Sequence, residues 1–182
     1  MPDFDAIIIG TGQAGQSLAF RLTGAGMKVA VVERHLVGGT CVNTGCTPTK
    51  ALVASAYAAR IARRAAEYGV VIGGDIGIDM RRVKARKDAI VAASRNGLTS
   101  ALENAANITL YRGHARFTSP QAVEIAGDRL RAGRIFINVG GRALVPPNAR
   151  HKRSALPDEF VDDGRRFSAA ASDHRRRQLY RP

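Results

Sequence analysis

The chain has 182 residues, of which 45% are hydrophobic and 24% are charged, so it is long enough to bury the core of one domain. No stretch is apolar over the eighteen or more residues that a membrane-spanning helix needs, so the sequence predicts no membrane span. The N-terminal segment MPDFDAIIIG is acidic before a short apolar run, whereas a secretory signal is positively charged there. These features predict a cytoplasmic protein.

The formal net charge of +13 is high enough to attract nucleic-acid phosphates. However, nine of the 28 Lys and Arg residues lie after Pro147, and most of the others are scattered along predicted helices. Scattered charges are typical of solvated helix faces, so the sequence does not favour a nucleic-acid-binding function. A surface for acidic partners is the second interpretation.

The first elements of the chain predict a βαβ unit. Residues 5–9 are a short apolar run that indicates a buried strand, residues 12–26 have apolar side chains at helical spacing, and residues 28–32 are a second β-branched run. Two strands joined through a helix pair in parallel, which indicates the α/β class.

A glycine motif lies at the turn between the first strand and the helix. Gly10 permits a tight turn, Gly12 lets a pyrophosphate approach the backbone, and Gly15 allows close packing of the helix on the strand. Glu33 ends the second strand, where a carboxylate can accept both hydroxyls of an adenosine ribose. A glycine turn without a ligand is the alternative, but the strand, helix and acid at this spacing favour dinucleotide binding.

The only two cysteines, Cys41 and Cys46, lie in the segment GGTCVNTGCTPTK at residues 38–50. Three interpretations of the pair are open: buried structural thiols, half of a metal site, or a redox pair. The chain has only four histidines and no further cysteine, so a zinc site would lack ligands. Residues five apart on a regular helix are turned by roughly 140° from one another, so a bond between them needs an irregular turn. Gly45 and Pro48 are suited to such a turn, and a helix N-terminus stabilises a thiolate.

The rest of the chain predicts two helices followed by short strands. The helices cover residues 49–68 and 80–106, separated by a glycine-containing break at residues 69–77. The strands are expected at residues 108–111, 115–118, 122–126, 129–131 and 134–139.

The dithiol segment resembles the active-site segment of the flavoprotein pyridine nucleotide–disulfide oxidoreductases, the family of dihydrolipoamide dehydrogenase, glutathione reductase and mercuric reductase. The resemblance covers residues 3–147. It implies a Rossmann-like FAD-binding domain with a parallel sheet and a β-meander, incomplete at its C-terminal side. It also implies that the glycine motif holds FAD rather than NAD.

The same resemblance assigns roles within the dithiol segment. Cys41 would be the interchange thiol that meets the substrate, and Cys46 would lie against the flavin as the charge-transfer thiolate. Lys50 would lie near the reactive edge of the flavin ring. Gly39 and Thr40 would touch the cofactor.

Two later segments continue the resemblance. In GHARF at residues 113–117, the backbone of His114 and Ala115 would face the adenine, although an ordinary surface histidine is the alternative for His114. In IFINVGG at residues 135–141, Gly140 would contact the flavin. The family usually has Thr-Gly at this turn, so Val139 implies the loss of a hydroxyl contact.

The resemblance implies an enzyme that passes electrons from NAD(P)H to FAD, then to the Cys41–Cys46 disulfide, and finally to a small-molecule disulfide, a metal ion or another acceptor. Full-length relatives are homodimers with an NAD(P)H domain that this chain lacks, so we expect no turnover by the chain alone. A non-catalytic module that binds FAD or ADP is the second hypothesis, and a basic nucleic-acid-binding protein is the third. The sequence identifies neither the substrate nor the choice between NAD and NADP.

Residues 148–182 form an arginine-rich tail without a helical or strand period, which predicts disorder. When codons are chosen for residues 163–182 and read one base later, one solution encodes an apolar strand and a glycine-rich turn, as the family would have there. We therefore expect a frameshift near Pro147, and the nucleotide sequence beyond that codon tests it.

Overall fold

The computed structural model describes residues 3–141. Its elements, in chain order, are β1 (Asp3–Ile9), α1 (Gln13–Gly24), β2 (Val29–Glu33), α2 (Gly39–Asn43), α3 (Cys46–Arg63), a 3₁₀ turn (Ala65–Tyr68), α4 (Met80–Glu103), β3 (Ile108–Arg112), β4 (Arg116–Ser119), β5 (Ala122–Ile125) and β6 (Asp128–Ile137). No helix in this part of the chain is both long and apolar enough to cross a membrane. The expected boundary at Pro147 and the tail at residues 148–182 lie outside the described residues.

The six strands form one sheet in the order β3-β2-β1-β6-β5-β4. The four strands β3, β2, β1 and β6 are parallel to their neighbours. The connection from β1 to β2 passes through α1, and that from β2 to β3 passes through α2, α3 and α4, as parallel neighbours require. Strands β4, β5 and β6 follow one another as antiparallel neighbours and form a meander. The predicted α/β fold with a parallel sheet and a β-meander is confirmed.

The prediction of two strands at residues 129–131 and 134–139 is wrong. These residues belong largely to the single strand β6, whose N-terminal half pairs with β5 and whose C-terminal half pairs with β1. Gly133 does not break the strand, because it does not adopt a positive φ and neighbours on both sides are hydrogen-bonded into the sheet. Arg131 is paired with both Asp3 and Ala122.

The helix predicted from residue 49 begins three residues earlier, at Cys46, and the short helix α2 before it was not predicted. Pro48 lies in the first turn of α3. Backbone N–H groups in a first turn have no acceptor within the helix, so a proline there costs no helical hydrogen bond. The helix is followed by a 3₁₀ turn rather than continuing to Tyr68.

The central strands are buried on both faces, as parallel strands covered on two sides must be. Ile7 and Val32 pack on one face with the meander residue Leu130. Ile8 packs on the other face with Ala19 of α1 and with the α4 residue Leu102, among others. The sheet is therefore fixed from both sides, and its carboxyl edge is held in place for the site described next.

Candidate functional site

The glycine turn follows β1 and is packed tightly between two other strand ends. Gly10 has a φ of +103°, and a Cβ there would lie 2.3 Å from the carbonyl oxygen of Asn138. A Cβ on Gly15 would lie 2.0 Å from the carbonyl oxygen of Gly10. The turn and the helix–strand contact therefore need glycine at both positions, as the motif predicts.

Gly12 differs from those two glycines because a Cβ there would meet no atom within 4 Å. Gly12 caps α1 without any side-chain hydrogen bond, and the first turn of α1 has no acidic residue. The N–H groups of that turn are therefore not used by a capping side chain, and the first turn itself places no carboxylate against the positive end of the helix dipole. Open space above an uncapped helix N-terminus fits a diphosphate group.

Glu33 lies beside this turn at the end of β2 and is half-buried. Its Oε2 accepts hydrogen bonds from the Thr11 backbone N–H at 3.0 Å and from the Thr11 hydroxyl at 2.5 Å. Its Oε1 accepts from the backbone N–H of His35 at 2.9 Å. The carboxylate is thus held at the carboxyl edge of the sheet, next to the glycine turn.

The sequence predicted a role for Glu33 but none for Thr11. Thr11 is nevertheless fully buried and donates hydrogen bonds to Glu33. Its position between Gly10 and Gly12 is a variable one in the motif, so the motif itself carries no signal for it. A polar side chain enclosed by two glycines was the only indication in the sequence.

The two cysteines lie on either side of a break between helices. Cys41 belongs to α2, whereas Cys46 is the first residue of α3. Between them the backbone N–H of Gly45 donates to the carbonyl oxygen of Thr40 at 2.6 Å, and Gly45 has a ψ of −109° that lies outside helical values. The irregular turn that a cysteine pair at this spacing requires is present.

Both cysteines are free thiols; Cys41 is half-buried and Cys46 is exposed. The pKa of Cys41 is raised, first by its hydrogen bond with Cys46, then by burial and by the charge of the second thiol. The ammonium group of Lys50 acts in the opposite direction and lowers that pKa. The two thiols and Lys50 therefore form one electrostatic cluster, with Lys50 one turn after Cys46 on α3.

The dithiol segment is attached directly to the glycine turn. A Cβ on Gly39 would lie 2.8 Å from the Cα of Gly12, so α2 begins in backbone contact with that turn. The N–H of Gly38 donates to the Thr11 hydroxyl at 3.1 Å. Thr40, which follows Gly39, is exposed on the same short helix. The glycine turn and the dithiol segment therefore lie next to each other in the fold.

Asn43 connects α2 to its surroundings and was also missed from the sequence. Its side-chain amide donates to the carbonyl oxygens of Val37 and Gly39, each at 3.0 Å. Its Oδ1 accepts from Arg95 of α4 at 3.3 Å. An asparagine inside the dithiol segment was the available signal, but Arg95 lies too far along the chain to be associated with it.

The remaining predicted residues lie at the ends of neighbouring strands. The N–H of Gly113 donates to the backbone carbonyl of Glu33 at 2.9 Å, so His114 and Ala115 follow directly beside β2. His114 is exposed and Ala115 packs against the core. Gly140 follows β6 with a φ of +71°. Their contacts with a cofactor stay predictions.

These positions meet at the carboxyl edge of the parallel strands, on either side of β1. The chain leaves β1 toward β2 on one side, while β6 lies on the other, so β1 is where the strand order reverses. Open α/β sheets bind their ligands outside such a reversal point. Within residues 3–141, no group of three or more His, Cys, Asp or Glu side chains is placed to hold a metal ion.

A family model described as pyridine nucleotide-disulphide oxidoreductase matches residues 4–176. The chain belongs to this family. The match runs past residue 147, where the sequence suggests that the resemblance stops, so that boundary stays a prediction.

Curated relatives give the same assignment. The chain is 33% identical to a dihydrolipoyl dehydrogenase of Acholeplasma laidlawii, over 80% of this chain and 43% of the relative. It is 38% identical to a dihydrolipoyl dehydrogenase of Chlamydia muridarum, over 79% of this chain and 31% of the relative. A mercuric reductase of Lysinibacillus sphaericus is 33% identical, over 79% of this chain and 26% of the relative.

Among solved structures, the present chain is similar to the Cu(II) complex of the HOCl-induced flavoprotein disulfide reductase RclA from Escherichia coli. The TM-score is 0.67 at 33% identity, covering 81% of this chain and 31% of that one. The chain therefore spans less than half the length of each of these relatives. Their N-terminal Rossmann-like fold is the part that it shares.

Proposed function

We propose that this chain is the FAD-binding and dithiol part of an FAD-dependent pyridine nucleotide–disulfide oxidoreductase. The observation that carries the proposal is the backbone contact between Gly39 and Gly12, which joins the dithiol segment to the diphosphate-binding turn. A cofactor lying on that turn extends from the same edge of the sheet on which the thiols lie. Family membership supports FAD as that cofactor.

Each predicted residue has a role in this proposal. The glycine turn binds the diphosphate, Glu33 binds the ribose, and the backbone of His114 and Ala115 faces the adenine. Gly39, Thr40, Lys50 and Gly140 lie toward the flavin. When bound, FAD supplies a two-electron relay between a reduced nicotinamide and a disulfide.

The thiol chemistry follows from the cysteine pair. The Cys41–Cys46 disulfide takes up two electrons and two protons to give the dithiol form. The Cys41 thiolate then attacks a substrate disulfide, forming a mixed disulfide and releasing one substrate thiol. Cys46 attacks Cys41 Sγ, which restores the protein disulfide and releases the second thiol. Lys50 favours the Cys41 thiolate that begins this sequence.

We propose a small-molecule disulfide or a metal ion as the electron acceptor. The relatives named dihydrolipoyl dehydrogenase and mercuric reductase support these two classes. The complete enzyme would work as a homodimer with NAD(P)H in the cytoplasm, where a reducing environment keeps the dithiol accessible to exchange. The described residues 3–141 contribute the flavin and dithiol part of that activity.

The decisive experiment is flavin reconstitution of the full chain. After incubation with FAD and gel filtration, dithiothreitol reduction should give a long-wavelength charge-transfer absorbance. Cys46→Ser should abolish this band and the matched variant Cys41→Ser should retain it. A chain that retains FAD but shows no band supports a non-catalytic binding module, and a chain that retains no flavin contradicts the proposal.

A further inference from the structure

Thr11 is the one polar or charged residue in residues 3–141 that is buried. Its hydroxyl donates to Glu33 Oε2 at 2.5 Å and accepts from the N–H of Gly38 at 3.1 Å. Its backbone N–H donates to the same carboxylate oxygen at 3.0 Å. One threonine therefore joins the glycine turn, the end of β2 and the residue that precedes α2.

The hydrogen bonds to Glu33 limit what else this carboxylate can accept. A carboxylate offers about four acceptor positions, two on each oxygen. Thr11 occupies both positions on Oε2, and the N–H of His35 occupies one on Oε1. One position, on Oε1, is left for a ligand.

We propose that Thr11 is a positioning residue that restricts Glu33 to one of the two ribose hydroxyls of the bound nucleotide. The inference rests on the proposed function and makes the ribose contact more specific than the sequence motif implies. A carboxylate free of Thr11 could turn both oxygens toward the ribose and accept both hydroxyls. With Thr11 bonded to Oε2, only Oε1 serves the ligand.

Nucleotides that lack one ribose hydroxyl test this inference on the full wild-type chain. Isothermal titration calorimetry compares ADP, 2′-deoxy-ADP and 3′-deoxy-ADP. One deoxy analogue should bind within about twofold of ADP, and the other should bind about tenfold or more weakly, since it loses a hydrogen bond to a charged acceptor.

The outcomes separate this inference from the function on which it rests. If ADP binds and both deoxy analogues are weakened alike, or neither is weakened, the inference about Thr11 fails and nucleotide binding stands. If ADP itself does not bind, both fail. The wild-type measurement is decisive even where a variant does not fold.

Variants at Thr11 then assign the restriction to its hydroxyl. Thr11→Val keeps the shape and removes the hydroxyl, so Oε2 regains an acceptor position. The two deoxy analogues should then bind with similar affinities. Thr11→Ser should keep the wild-type pattern, as should the control Thr23→Val, whose hydroxyl bonds only to α1 carbonyl oxygens. An equal loss of affinity for all three nucleotides in Thr11→Val indicates a purely structural role and overturns the inference.

Discussion

Cys41 and Cys46 differ in the surroundings that govern their protons. Cys41 is half-buried in the short helix α2, and its hydrogen bond with Cys46 is the largest cause of its raised pKa. In the reduced protein this raised pKa stabilises the folded state at pH values below the pKa of a cysteine in the unfolded chain. That stabilisation is lost as the pH rises through the pKa of Cys41 in the folded protein. The neighbouring thiol thus holds Cys41 in its protonated form, while Lys50 opposes it.

We predict that Cys46→Ala increases the reactivity of Cys41. The substitution removes the largest cause of the raised pKa, so more Cys41 is thiolate at pH 8 and iodoacetamide alkylation becomes severalfold faster. Adding Lys50→Met should slow it again, because the ammonium group lowers the pKa of Cys41. Tandem mass spectrometry of the reduced protein, which locates the label, gives the rate at Cys41.

The control for the charge change is Lys84→Met in the Cys46→Ala background. Lys84 pairs with Asp88 on α4. Its replacement by methionine removes one positive charge at a position outside the dithiol segment. The Cys41 rate should be the same with and without this change. Slower alkylation of Cys41 in Cys46→Ala would contradict the assignment of the hydrogen bond as the dominant cause.

At the level of elements, Gly133 in β6 and Gly15 in α1 show that the space around a glycine differs from one position to another. Gly133 lies inside β6, a Cβ there would meet no atom within 4 Å, and its φ is not positive. Gly15, by contrast, is in close contact with the backbone of Gly10. Glycine is therefore required at position 15, whereas the space at position 133 would also admit a larger residue.

We predict that Gly133→Ala stabilises the protein by about 0.5–1 kcal/mol, because glycine in a strand interior loses more backbone entropy on folding than alanine. The matched variant Gly15→Ala should destabilise it by about 1–3 kcal/mol through overpacking. Urea denaturation of both variants against wild type measures the two shifts. Equal effects of the two substitutions would show that the local space around each glycine does not decide its role.

The sequence was sufficient for the features that repeat locally. The βαβ unit, the glycine motif and the cysteine spacing all follow from short-range patterns, and the resemblance to a family added the flavin. The continuity of β6 could not be read locally, because both halves are held by strands distant in sequence. The contacts of Thr11 and Arg95 were out of reach for the same reason, since their partners lie 22 and 52 positions away.

At the scale of the molecule, one sheet has two separate core faces that share their central strands. Ile7 of β1 belongs to the face covered by the meander, and Ile8 belongs to the face covered by α1 and α4. Loss of packing on either face exposes the same strand. The two faces should therefore unfold together.

We predict that Leu130→Ala and Leu102→Ala, on opposite faces, each reduce the free energy of unfolding by about 2–5 kcal/mol, since both side chains are 0% exposed. Each variant should keep a single urea transition with the same midpoint by far-UV circular dichroism and by tyrosine fluorescence, because Tyr111 packs on Phe4 in the core. The control Val71→Ala removes methyl groups from a residue that is 95% exposed and should leave the midpoint unchanged. Separate midpoints for the two probes would instead mean that the faces unfold independently, and β1 would not be the strand that couples them.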